Sequence, residues 1–172
     1  MKRFAKLLEK LLFTPSRNAK IIAMADYFKN TPDPDRGFAL GVLTGDLISN
    51  NLKPAKLRTL TKSRVDPGLF DMSYDYVGDM AETISLIWPE HTNHVLEKQR
   101  LPQLGELISA LQTKSKIALQ TYVTELLDCA SVTERWAIIK MVTGGLRVGV
   151  SARLAKTSLA EYSGKDLTEI EK

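Results

Sequence analysis

Apolar residues recur every three or four positions through most of this chain, and that spacing predicts helices. Phe4, Leu7, Leu8, Leu11 and Leu12 form the first stripe. Thr14-Pro15 stops it and opens a second helix, with Thr14 as N-cap and Pro15 at the first helical position. That helix runs to Phe28, with Ile21, Met24, Ala25 and Phe28 inward. Asp33-Pro34 starts a third, in which Gly37, Gly41 and Gly45 share one face. Each glycine costs roughly 1 kcal/mol against alanine in a helix, so the close approach of another helix should offset the loss. Pro54 opens a helix with Ala55, Leu57 and Leu60. Alternation around Tyr74 and Tyr76 permits a short strand, although no partner strand is evident. Asp79 and Glu82 predict an N-capped helix with Met80, Ile84 and Ile87, closed by Trp88-Pro89.

The second half reads the same way. Leu104, Leu107, Ile108 and Leu111 make one stripe; Ala118, Leu119, Tyr122, Val123, Leu126 and Leu127 make another. Ser131 and Glu134 form a capping box for a helix with Trp136, Ile139 and Val142. The last stripe is Leu154, Ala155, Leu159 and Tyr162. Residues 89–102 are polar and bounded by prolines, which suggests a linker between lobes at 1–88 and 103–162. Val77-Gly78-Asp79 and Val148-Gly149-Val150-Ser151 each place a glycine just before a capped helix, a short echo between the halves. Residues 163–172 form a polar, charged tail.

Composition narrows the picture. The 172 residues are 44% hydrophobic and 26% charged, ordinary for a soluble globular protein able to bury a core. No run approaches the roughly 18 apolar residues of a membrane span. Lys6, Glu9 and Lys10 interrupt the first apolar stretch, which argues against a signal peptide. A single cysteine, Cys129, excludes an intrachain disulfide and suits the reducing cytoplasm, where it reads as a small apolar residue. His91 and His94 are too few for a zinc site, so no metal is expected.

The net charge of +4, with a pI near 9.1, permits a polyanionic partner. Its distribution says more. Lys53, Lys56, Arg58, Lys62 and Arg64 form one basic run, read either as a solvated helix face or as a binding surface. From Arg135 to Ala160 there are five basic residues and no acidic one. Within that span lies Thr143-Gly144-Gly145-Leu146-Arg147-Val148-Gly149-Val150-Ser151-Ala152-Arg153, a turn between two helices. Its glycines allow tight bends and close approach, and Ser151 can cap the next helix, whose N-terminus favours an anion. The plainer alternative is that Gly144 and Gly145 only end a helix. Neither a Walker loop nor a dinucleotide fingerprint is present. Ser16, Arg17 and Lys20 crowd another helix start, where cations gain nothing from the dipole. Solvated surface and anion contact both remain open there.

Three stretches carry a resemblance. Thr14-Pro15-Ser16-Arg17-Asn18-Ala19-Lys20, the run from Asp75 to Thr83, and Arg135-Trp136 through Leu146-Arg147-Val148-Gly149 to Ala155 resemble the N-terminal DNA-binding domain of ATP-dependent DNA ligases, especially bacterial ones. The resemblance covers nearly the whole chain. It implies an all-α fold of two pseudo-symmetric lobes spanning 1–162, which holds nicked duplex DNA through backbone and minor-groove contacts. It places those contacts on Gly144, Gly145, Arg147 and Gly149, with Ser151 and Arg153 beyond the turn and a second contact at Ser16, Arg17 and Lys20. It further implies a monomeric domain working beside a nucleotidyltransferase and an OB-fold, in an enzyme that seals nicks in replication, repair or recombination using ATP and a divalent metal, expected to be Mg2+.

The family's adenylated lysine lies in a K-x-D-G motif, and no lysine here has aspartate two positions later. These residues alone are therefore expected to bind neither ATP nor a metal as cofactors and to seal nothing, with the chemistry in a catalytic core beyond the tail. A stand-alone helical nucleic-acid-binding protein and a protein-interaction module are the alternatives. An independent hydrolase would rest on scattered carboxylates and one cysteine.

Overall fold

The computed structural model describes residues 1–47, 51–90 and 100–171. These fold into eleven helices, and no strand occurs among them. In order they are α1 (Lys2–Phe13), α2 (Arg17–Asn30), α3 (Asp35–Thr44), α4 (Pro54–Lys62), α5 (Pro67–Val77), α6 (Met80–Ile87), α7 (Leu104–Thr113), α8 (Lys116–Cys129), α9 (Val132–Thr143), α10 (Ala152–Ser163) and α11 (Leu167–Ile170). The all-α expectation is met. Residues 91–99, with His91, His94 and most of the expected linker, lie outside the described residues.

The core is organised around α9. Sequence reading gave it one apolar stripe, yet Trp136, Ala137, Ile138, Ile139, Met141 and Val142 are all buried, so the helix is enclosed on every face. α1, α6 and α8 pack against it. The chain after α3 also reaches it: the amides of Asn51 and Leu52 both donate to the Val142 carbonyl, at 3.1 and 3.0 Å. α10 lies against α2 and α3, and α3 against α7. Helices from the two ends of the chain therefore interleave around α9.

Full enclosure forces a polar side chain inside. Arg135 is 1% exposed. Its Nε donates to the Leu127 carbonyl at 2.9 Å, and its Nη1 reaches the Ser85 carbonyl at 3.5 Å and Glu90 Oε1 at 2.9 Å. The guanidinium thus binds the ends of α8 and α6 to α9. Asp128 makes a second knot, accepting from Trp88 Nε1 at 2.9 Å and Arg64 Nη1 at 2.8 Å.

Several local expectations are met. Asp79 caps α6, accepting from the Glu82 amide at 2.9 Å, and the Ser131–Glu134 capping box opens α9. Others are corrected. Ser16, not Thr14, caps α2; its Oγ accepts from the Ala19 amide at 3.3 Å. Thr14 ends α1 instead, its hydroxyl donating to the Lys10 carbonyl at 2.6 Å. The stretch around Tyr74 and Tyr76 is helical, because Asp66 and Pro67 supply a cap and a first turn that outweigh the alternation. The Gly37–Gly41–Gly45 face is not a helix contact: Gly45 ends α3 in the left-handed conformation, and Gly41 is approached by Leu47. The close helix approach falls at Gly105 of α7, where a Cβ would lie 2.8 Å from the Phe38 ring. Asp35, in the first turn of α3, accepts there from the amides of Leu104 and Gly105 at 3.3 and 3.0 Å. One carboxylate thereby serves two helix starts.

Removing the buried guanidinium strands carbonyls that water cannot reach. Arg135→Met should lower unfolding free energy by about 2–4 kcal/mol, read as a drop in the urea midpoint.

Candidate nucleic-acid interface

The glycine turn is shaped by the end of α9. Gly144 is left-handed, with φ 71°, and the Gly145 amide donates to the Lys140 carbonyl at 3.0 Å, closing the helix as such caps do. The chain then runs exposed through Gly145 and Arg147, and Val148 turns inward as a buried anchor. Gly149 is again left-handed, with φ 65°. Ser151 caps α10, its Oγ accepting from the Leu154 amide at 3.2 Å.

Lys20 holds this turn from below. Its side chain leaves the first turn of α2, is 9% exposed, and donates from Nζ to the carbonyls of Val148 at 2.9 Å and Gly149 at 3.0 Å. Those carbonyls precede the Ser151 cap, so the ammonium satisfies groups that no helix could. The left-handed backbone at Gly149 favours glycine, and a Cβ there would sit 2.5 Å from that Nζ and push the lysine end off its two carbonyls.

The clasp brings two sequence-distant segments together. Pro15, Arg17, Lys20, Gly149, Ser151, Arg153 and Leu154 line a cleft of about 380 Å3. The N-termini of α2 and α10 both open beside it, and neither helix carries an acid in its first turn. Arg17 and Arg153 are exposed, and among the described residues neither has an ion pair or side-chain hydrogen bond. Ser16 adjoins the cleft as the cap of α2. Gly144, Gly145 and Arg147 lie outside its lining, on the exposed bend that leads to it; Arg147 is likewise without a partner among the described residues. The arrangement can receive an anion between two cationic side chains and two helix ends.

The basic runs are thinned by pairing. Arg135 is buried, and Lys140 Nζ lies 2.7 Å from Asp79 Oδ2. Burial alone would raise the Asp79 carboxyl, but the Lys140 ammonium and the Glu82 and Ala81 amides outweigh it and hold it below the ordinary aspartate range. In the earlier run Lys62 pairs with Asp71 at 2.7 Å, Arg64 with Asp128, and the Arg58 guanidinium stacks 5.0 Å over the Tyr74 ring. Of that run Lys53, Lys56 and Arg64 are exposed, and Arg64 is already paired with Asp128. Burial, with Asp128 and Glu125 nearby, pushes the Cys129 thiol up, which leaves it unsuited to act as a nucleophile.

Sequence reasoning named Lys20 but missed its task and missed Val148 as anchor. A helix-start lysine beside a polar turn gives no sign of which carbonyls it will meet 128 residues later. Among the described residues no group of three or more His, Cys, Asp or Glu side chains could hold a metal ion, and no helix is long and apolar enough to cross a membrane.

Fold and site together define a helical domain with a basic cleft. Residues 1–160 match the family model described as DNA ligase N terminus, and the chain belongs to that family. It is a DNA-binding domain of the ligase type. No curated protein matches the sequence.

Two outcomes follow for the clasp and its neighbour. Lys20→Met should remove two charge-assisted hydrogen bonds, at about 1.5–3 kcal/mol; urea unfolding would show the loss, and amides of residues 144–150 should exchange faster. The lowered Asp79 carboxyl stabilises the fold above the ordinary aspartate pKa and stops doing so as pH falls through its depressed value. Asp79→Asn should therefore cost most near neutral pH and little in acid, seen by comparing melting temperatures of the two proteins across pH.

Proposed function

We propose that this chain grips duplex DNA flanking a nick, without regard to sequence, as the DNA-binding domain of an ATP-dependent DNA ligase. The observation that carries the reading is the single cleft that joins the start of α2 to the start of α10, with Arg17 and Arg153 unpaired at its mouth. In this reading the cleft takes a backbone phosphate. Arg17 and Arg153 supply charge, while the starts of α2 and α10, capped by Ser16 and Ser151, direct amides toward the anion. The bend at Gly144 and Gly145 presses on the wall of the minor groove, and Arg147 enters it. Gly149 lets the turn fold over Lys20, which acts beneath the surface as a clasp and not as the outermost contact.

The proposed contacts are to phosphate and groove wall, so they position the duplex and read little sequence, as a nick-sealing enzyme requires. The chemistry belongs to a catalytic core of nucleotidyltransferase and OB-fold domains acting with ATP and Mg2+ in the cytoplasm, in replication, repair or recombination. The present residues contain no K-x-D-G lysine to carry adenylate. The domain works as a monomer that holds the duplex while the core closes around the break.

A salt series on nicked and intact duplex tests this. Binding should weaken steeply with salt, and Arg17→Ala, Arg153→Ala and Arg147→Ala should each flatten the log–log slope by about 0.9, with equal losses on unrelated sequences. Gly145 separates fold from contact, since a Cβ there meets only ordinary van der Waals neighbours. Gly145→Val should fold normally yet bind DNA more weakly, whereas Gly149→Val should lose both stability and binding. Salt-insensitive binding, or arginine variants that bind like the parent, would remove the assignment.

A further inference from the structure

A second cleft, of about 350 Å3, lies where α1, α6 and α9 meet. Leu12, Phe13, Leu86, Val132 and the largely buried Trp136 supply its apolar lining. Phe13 is 76% exposed and Leu86 62%. Large apolar side chains scattered singly on a surface call for no explanation, but here four from three helices line one hollow, the arrangement expected of a docking site.

Charge restricts the occupant. The charged side chains lining this cleft are Glu9 and Glu82; no lysine or arginine lines it. Neither carboxylate is used up by the fold. Among the described residues Glu82 gives its amide to the Asp79 cap and keeps its side chain unbonded, and Glu9 accepts a single hydrogen bond from the Thr133 hydroxyl, at 3.2 Å. The cleft between α2 and α10 has the opposite character, with Arg17, Lys20 and Arg153 and no acid. Two carboxylates beside an apolar hollow repel a phosphate backbone, so DNA is the wrong occupant. They favour a segment that brings an apolar anchor and flanking cations.

We propose that this cleft docks a short amphipathic helix of a partner protein, with aliphatic or aromatic residues on its inner face and lysine or arginine at the edges. The helix lays its apolar face over Leu12, Phe13, Leu86 and Val132, and its cations meet Glu9 and Glu82 at the two sides. The domain's overall positive charge does not prevent this, because surface charges beyond about 8–10 Å are screened at physiological salt and the local carboxylates dominate. The site would bring a second protein to a domain bound to DNA through another surface.

The probe is a pair of synthetic amphipathic peptides with the same leucine and phenylalanine face, one edged with lysine and the other with glutamate, titrated into the whole chain labelled with 15N. The lysine peptide should shift the Trp136 indole resonance and bind tighter than the glutamate peptide by about tenfold, the size expected for two exposed charge pairs turned from attraction to repulsion. The double variant Glu9→Lys with Glu82→Lys changes only exposed positions and should reverse the preference. Leu86→Ser should weaken both peptides while leaving the urea midpoint unchanged. Equal affinity for both peptides, no shift at Trp136, or an unchanged preference in the double variant would overturn the proposal. So would sedimentation showing that the chain self-associates and that Leu86→Ser makes it monomeric, since the cleft would then belong to a second copy.

Discussion

The enclosure of α9 is the constraint on which the rest depends. A helix buried on every face can leave the core only through its ends, and both ends are tied. At the start, the Ser131–Glu134 box and Arg135 fix it to α8 and α6. At the finish, Val142 accepts amides from the segment after α3, and Gly144 turns the chain sharply outward. The exposed bend is consequently carried on a helix that the core encloses and ties at both ends. A bend supported in this way has little conformational entropy left to lose if a partner is pressed against it.

Charge in this domain divides between structure and surface. Arg135, Lys140, Arg64 and Lys62 are committed to partners within the fold, and Lys20 spends its ammonium on two backbone carbonyls. Arg17, Arg147 and Arg153 have no partner among the described residues, and these flank or precede one cleft. Net charge alone could not separate the two groups. Each buried or paired cation costs desolvation that its partner must return, whereas an unpaired exposed arginine keeps its full capacity for an anion. Exposed lysines such as Lys6, Lys29, Lys53 and Lys56 are also unpaired among the described residues; what sets Arg17 and Arg153 apart is that they stand where two helix starts already favour negative charge.

Much of the fold was legible in the sequence because helix signals are local. The stripes of α1 and α7, the Asp79 cap and the Ser131–Glu134 box all rest on residues within a few positions of one another. The misreadings came where two local signals competed or where the deciding partner was remote. Thr14 and Ser16 are both acceptable caps, and only the path of the chain out of α1 selected Ser16. The glycines of α3 suggested a close helix approach, yet the approach belongs to Gly105 because Phe38 of α3 points there. At the candidate site the residue types were readable and their grouping was not. Nothing near Arg17 says that Arg153 will stand across the same cleft, since that depends on α2 packing against α10.

The Lys20 clasp shows why the two segments had to be read together. An isolated lysine at the start of α2 opposes the helix dipole, and isolated carbonyls at Val148 and Gly149 would be left without donors beside a buried anchor. Each is unfavourable alone, and joined they offset one another across 128 residues. The same contact ties the Gly149 turn to the start of α2, alongside the packing of α2 against α10 that brings the two helix starts to one cleft. One ammonium group thus contributes both to stability and to the shape of the cleft. Its replacement would disturb the surface even though it touches no ligand, whereas Arg17 and Arg153 can change the surface without disturbing the fold.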